Sequence, residues 1–144
     1  MTSHSMIFVN LPVTDLAASR AFWTSLGYPI NETFSDENAL SVVLGDAITV
    51  MLLKTEYFQT FTSLPVGDAK TSTQTLLALS SESRDAVDSL VEAAVAAGAT
   101  EPREPQDLGF MFQRTFSDLD GHTWEITWMD PSGFSGDAAD GSAQ

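Results

Sequence analysis

The sequence predicts an α+β fold built from two β-α-β-β-β modules, and three observations carry that prediction. Apolar runs of strand length and stripes of helical period succeed one another twice in the same order along the 144 residues. Each helical stripe stops at a glycine, Gly27 and then Gly98, as a helix ending in the left-handed region requires. The last run alternates strictly, with Trp124, Ile126 and Trp128 on one side and Glu125 and Thr127 on the other.

In order, Met6 to Val13 reads as a strand because it is short, apolar and β-branched. Thr14 or Asp15 caps a helix whose apolar side is Leu16, Ala17, Ala18, Ala21, Phe22, Trp23 and Leu26. Three strands follow, Ile30–Phe34, Leu40–Leu44 and Ala47–Leu53, parted by the turn clusters Asp36-Glu37-Asn38 and Gly45-Asp46. Glu56 to Phe61 reads as a short helical turn, and Leu64 to Ser72 as a connector marked by Pro65, Gly67 and Asp68. The order then repeats with a strand at Thr73–Leu79 and a helix opened by Ser81 to Asp85. Val87, Leu90, Val91, Ala94 and Val95 of that helix form one buried stripe, with Asp85, Asp88 and Glu92 on a solvated face. An extended stretch with Pro102 and Pro105, a strand at Phe110–Phe116, a tight turn at Asp118-Leu119-Asp120-Gly121 and a strand at His122–Met129 complete it. Modules of about 6–63 and 72–130 are too small to stand as separate domains, so the expectation is one domain over 1–144, its strands joined around one concave surface. The stretch 131–144, rich in Gly, Ser, Ala and Asp, is expected to be a mobile tail.

Composition excludes several functions. Without cysteine there is no disulfide framework, thiolate nucleophile or cysteine-ligated metal. Six Lys+Arg against 20 Asp+Glu leave a charge of −14, and the basic residues are scattered, which argues against nucleic acid. The charge accounts for solubility and favours a cationic ligand over an anionic one. No basic leader and no apolar run of membrane-spanning length is present, so a cytoplasmic protein without membrane contact is expected. Phosphate loops, a Walker lysine and a G-x-S-x-G elbow are absent, and two histidines give a Ser-His-Asp triad little support.

The string Asn10-Leu-Pro-Val-Thr-Asp-Leu-Ala-Ala-Ser-Arg-Ala-Phe-Trp-Thr-Ser-Leu-Gly27 resembles the opening of the vicinal oxygen chelate superfamily, which groups glyoxalase I, bleomycin-resistance proteins and extradiol dioxygenases. Phe116-Ser-Asp-Leu-Asp-Gly-His-Thr-Trp-Glu-Ile126 resembles its end, so the likeness spans about residues 6 to 130. The resemblance implies paired modules in a cupped, mostly antiparallel eight-stranded sheet, a homodimer, and in enzymatic members a divalent metal held by the first and last strands of each module.

Carried over residue by residue, the four ligand positions fall on Phe8, on Thr49 or Met51, on Gln74 (Thr75 in the adjacent register) and on Glu125. Phe8 has no lone pair to offer, a hydroxyl or thioether suits a hard cation poorly, and an amide oxygen binds weakly. Only Glu125 keeps the family residue, as a ligand, a general base or a cation-binding group. No metal or other cofactor is therefore expected, and a divalent metal held by Gln74 and Glu125 is the alternative. Asp118, Asp120 and Gly121 are expected to serve their turn and His122 to be structural; His4 has no visible partner.

Phe8, Phe34, Met51, Phe58, Phe61, Phe110, Met111 and Phe112 read mostly as core. A cup holding Phe8 and Met51 and edged by Gln74 and Glu125, with Tyr57 and Phe58 as a wall or lid, suits a small organic ligand, cationic or aromatic. Binding without chemistry, as in the bleomycin-resistance branch, is the first expectation. The alternative is a metal-dependent lyase, isomerase or dioxygenase of the glyoxalase type using Glu125 and Gln74, with Glu125 as the catalytic group.

Overall fold

A computed structural model of the chain describes residues 1–132, so most of the expected tail, from residue 133 onward, lies outside the described residues. The chain divides into two compact units, Met1–Asp68 and Ala69–Gln144.

The first unit runs β1 (Ile7–Val13), α1 (Leu16–Ser25), β2 (Ala39–Gly45), β3 (Ile48–Lys54) and the short α2 (Thr55–Phe58). Its sheet has the order β1-β3-β2, with β1 parallel to β3 and β2 antiparallel to it. Asp15 is the residue that caps α1, its carboxylate accepting from the Ala18 N–H at 3.0 Å. Phe22 and Trp23 of α1 are buried with Leu11, Val13, Leu40, Val42, Val50 and Leu52 of the sheet. Alternation sends the remaining side chains to the opposite face in three rows: Phe8, Thr49 and Val43; Asn10, Met51 and Ser41; Pro12, Leu53 and Ala39.

The expected strand Ile30–Phe34 is reduced to a single bridge between Ile30 and Val42. Asn31 competes with the ladder: its side chain accepts from the Thr33 N–H at 3.1 Å and opens a 3-10 turn over Glu32–Phe34. Phe34 is left 66% exposed instead of entering the core.

The second unit runs β4 (Leu76–Ser80), α3 (Arg84–Ala96), β5 (Gln106–Asp107), β6 (Met111–Ser117) and β7 (Thr123–Met129). Its sheet has the order β4-β7-β6-β5, with β4 parallel to β7 and the other pairs antiparallel. Both units place their first strand parallel to their last. The order strand, helix, strands repeats as the sequence predicts, but the first unit has two strands after its helix instead of three. A single eight-stranded, mostly antiparallel sheet is not what forms: the described residues make two mixed sheets, of three and of four strands.

Val87, Val91 and Ala94 are fully buried with Phe116, Trp124 and Ile126, whereas Val95 is exposed, so the stripe on α3 is narrower than expected. The acidic face of α3 is not simply solvated. The Arg114 side chain, only 12% exposed, donates to Asp88 at 2.8 Å, Glu92 at 3.4 Å and both carboxylate oxygens of Glu101 at 2.9 Å. Arg84, at the start of α3, pairs bidentately with Asp107 and lies over the Phe112 and Trp128 rings at 5.2 and 5.0 Å. The Arg84 guanidinium and then the Gly109 N–H hold the Asp107 carboxyl down at about 2.

The Asp118 turn forms as expected. The Asp118 carboxylate accepts from the Asp120 and His122 N–H groups at 3.0 Å and from the Trp124 indole at 2.9 Å, and Gly121 closes the turn at φ +89°. Burial raises the Asp118 pKa against the opposing pull of His122 and these donors.

Candidate functional site

The first unit holds a cavity of about 360 Å³ lined by Asn10, Leu53, Phe58, Phe61 and Thr62. That is within the range of about 300–1,000 Å³ common for small-molecule sites. The sheet supplies one side, because Asn10 of β1 and Leu53 of β3 occupy adjacent rows on the face turned away from α1. The other side is α2 with the 3-10 turn Gln59–Phe61 that follows it, so the expected helical turn at 56–61 forms as two successive short helices.

Local hydrogen bonds fix that wall. The Thr55 hydroxyl donates to the Val13 carbonyl at 3.2 Å and ties the start of α2 to the end of β1. The Gln59 amide donates to the Thr62 and Leu64 carbonyls at 3.1 and 2.9 Å and accepts from the Val66 N–H at 3.3 Å. One side chain thereby holds the turn that presents Phe61 and Thr62. Tyr57 meets Phe61 edge to face, with ring centroids 5.1 Å apart. The lining carries no ionisable side chain.

Of the residues singled out in the sequence, Phe58 lines this cavity, and Tyr57 supports Phe61 from beside it. Phe8 and Met51 share the sheet face with Asn10 and Leu53 but are not among the lining residues. Phe8 is 57% exposed; Phe110 and Phe61 are likewise exposed rather than core. Asn10, Leu53, Phe61 and Thr62 went unmarked as site residues. Three of the four had a signal: Asn10 stands two residues after Phe8, Leu53 two after Met51, and Phe61 three after Phe58 on a helical turn. Thr62 had none.

The other two expected residues lie in the second unit. Glu125 is half-buried on β7, between Ala78 of β4 and Thr115 of β6, with Thr123 and Thr127 as its neighbours along the strand. Among the described residues its carboxylate makes no hydrogen bond. β4 starts at Leu76 rather than Thr73, which leaves Gln74 exposed and outside the strand. Gln74 is four residues before Ala78, about 13 Å along an extended chain, so the register does not bring it to Glu125.

These side chains do not fit a divalent metal of the kind the resemblance implies. The first unit offers Phe8 and either Thr49 or Met51; the second offers one carboxylate opposite an alanine, with Gln74 displaced. Among the described residues no three His, Asp or Glu side chains are placed to hold a metal ion. No described helix is long and apolar enough to cross a membrane.

Comparison with known proteins agrees with the fold. Residues 6–45 match the family model described as bleomycin resistance protein-like N-terminal. Hypothetical protein SA1046 from S. aureus is 27% identical with a TM-score of 0.74, the match covering 89% of this chain and 95% of that one. A glyoxalase/bleomycin resistance/dioxygenase family enzyme from Burkholderia phytofirmans PsJN is 22% identical, TM-score 0.71, over 85% and 96% of the two chains. TnmS3, an antibiotic binding protein from Streptomyces sp. CB03234, is 20% identical, TM-score 0.62, over 90% and 98%. At these last two identities the likeness is one of fold. A search of curated proteins finds no match.

Proposed function

We propose that this chain, whose first module matches a bleomycin resistance protein-like model and whose fold is that of glyoxalase/bleomycin resistance/dioxygenase proteins, is a member of the vicinal oxygen chelate superfamily that binds a small aromatic molecule without chemistry and without metal. The observation that carries this reading is the cavity of about 360 Å³ in the first unit, walled by Phe58 and Phe61 over a floor of Leu53. Two phenyl rings and an isobutyl group give an aromatic guest dispersion and stacking, while Asn10 and Thr62 can orient it. Binding of an antibiotic by TnmS3 supports the reading by analogy of fold.

A homodimer acting in the cytoplasm is part of the proposal. Ile7 and Phe8 are exposed on β1, an outer strand of its sheet, and a second copy would cover that edge. Light scattering that returns the 15.5 kDa mass of one chain at micromolar concentration would remove that part.

Binding is tested with N-phenylnaphthylamine, an uncharged probe whose emission rises in apolar surroundings. Saturable binding is expected, weakened about tenfold in Phe61→Ala. Phe34→Ala is the control, since Phe34 is as exposed as Phe61 (66% against 67%) and lies outside the lining, so its removal leaves affinity unchanged. Equal losses in the two variants, or no saturable binding, would refute the reading.

A further inference from the structure

We infer that the cavity of the first unit selects uncharged aromatic ligands that carry an amide-like edge, with Asn10 and Thr62 reading that edge; the inference rests on the binding reading above. The lining is Asn10, Leu53, Phe58, Phe61 and Thr62, so an ion entering it meets no opposite charge. A cation gains from the acidic surface only at long range, where salt screens it, and sheds part of its hydration on entry. The two phenyl faces return some of that loss, but a neutral ring system receives the same faces without giving up the hydration of a charge.

The polar pair has a defined hydrogen-bonding capacity. Among the described residues the Asn10 carboxamide makes no hydrogen bond, so its carbonyl and its NH₂ are both available. The Thr62 oxygen accepts from the Leu64 N–H at 3.1 Å, which leaves its hydroxyl hydrogen free to donate. The site therefore offers one acceptor and two kinds of donor. A lactam or carboxamide matches this set: its N–H donates to the Asn10 carbonyl, and its C=O accepts from the Asn10 NH₂ and the Thr62 hydroxyl. Gln59 sets the position of Thr62 by accepting from the Val66 N–H and donating to the Thr62 carbonyl. The volume of about 360 Å³ has room for about two or three fused rings.

Four probes on one three-ring skeleton separate the contributions: phenanthridinone (neutral lactam), phenanthrene (no polar edge), N-methylphenanthridinium (cation) and phenanthrenecarboxylate (anion). Each is titrated by fluorescence into the full chain. Phenanthridinone is expected to bind about tenfold more tightly than either phenanthrene or the cation, with the carboxylate weakest. Asn10→Leu should bring phenanthridinone down to the level of phenanthrene while leaving phenanthrene binding intact. Thr62→Val should remove part of the same advantage, with circular dichroism reporting the fold of both variants. Tighter binding of the cation, or equal binding of all four, overturns the selectivity and leaves the binding reading standing. An Asn10→Leu protein that keeps its preference for the lactam overturns the assignment of the reading residue. Binding of none of the four overturns both this inference and the function it rests on.

Discussion

Trp124→Ala is expected to lower stability by about 4 kcal/mol, near the top of the range for a single core substitution. The side chain is 1% exposed and lies on β7 between Leu77 of β4 and Phe116 of β6, on the face that carries the buried residues of the second unit. Removing it opens a cavity among neighbours that cannot collapse fully. It also strips the Asp118 carboxylate of its indole donor at 2.9 Å, in a place where burial already disfavours the charge. Trp124→Phe separates the two effects: it keeps most of the apolar volume and loses the donor, at about 1–3 kcal/mol. Urea denaturation of the two variants beside the parent chain checks this. A Trp124→Ala protein within 1 kcal/mol of the parent would contradict the packing described for this strand, since about 1 kcal/mol is the cost of an ordinary substitution.

Gly121→Ala should cost about 3 kcal/mol, more than any other glycine replacement whose surroundings are described. Gly121 holds φ +89°, where a side chain costs about 1–2 kcal/mol. A Cβ there would also stand 2.8 Å from the Lys70 nitrogen and 2.9 Å from the Ala69 carbonyl atoms, all backbone that cannot rotate aside. Either the turn or the segment at 69–70 must move, and a moved turn loses the donors that Asp120 and His122 give Asp118. Gly27→Ala is the comparison: φ is +98° but nothing lies within 4 Å, so only the conformational cost of about 1–2 kcal/mol applies. Thermal unfolding should rank Gly121→Ala well below Gly27→Ala. The reverse order would show that the close approach to Ala69 does not exist.

These positions also show what in this sequence is legible. Trp124, Ile126 and Trp128 alternate without exception, and period two admits only one assignment, so β7 and its buried face could be read directly. Asp15, Gly27, Gly98 and the stretch Ser81 to Asp85, within which Ser83 is the cap, mark both long helices because they answer specific backbone needs, an orphan N–H or a positive φ. The stretch from Ile30 to Phe34 misleads because its composition is strand-like while Asn31 supplies a local bond that the ladder cannot match.

The site is harder to read than the fold. Phe8, Asn10 and Pro12 share one parity, but only the way α2 and Gln59–Phe61 approach the sheet decides that Asn10 rather than Phe8 lines the cavity. That approach depends on the Thr55 bond to Val13 and the Gln59 bonds to Thr62, Leu64 and Val66, which leave no periodic trace. Gln74 illustrates the reverse case. Its parity matches the open face of β4, but the strand begins two residues later, and a parity argument has no force outside a strand.

The measurement that tests the central claim most directly is a titration of the ¹⁵N-labelled chain with phenanthridinone, followed through the backbone amide shifts. Saturable shifts concentrated at Asn10, Leu53, Phe58, Phe61 and Thr62, in the middle of β1, near the end of β3 and along the α2 wall, are the predicted result. Shifts confined to the second unit, around Glu125 and Thr115, or no saturable shift anywhere, would contradict it.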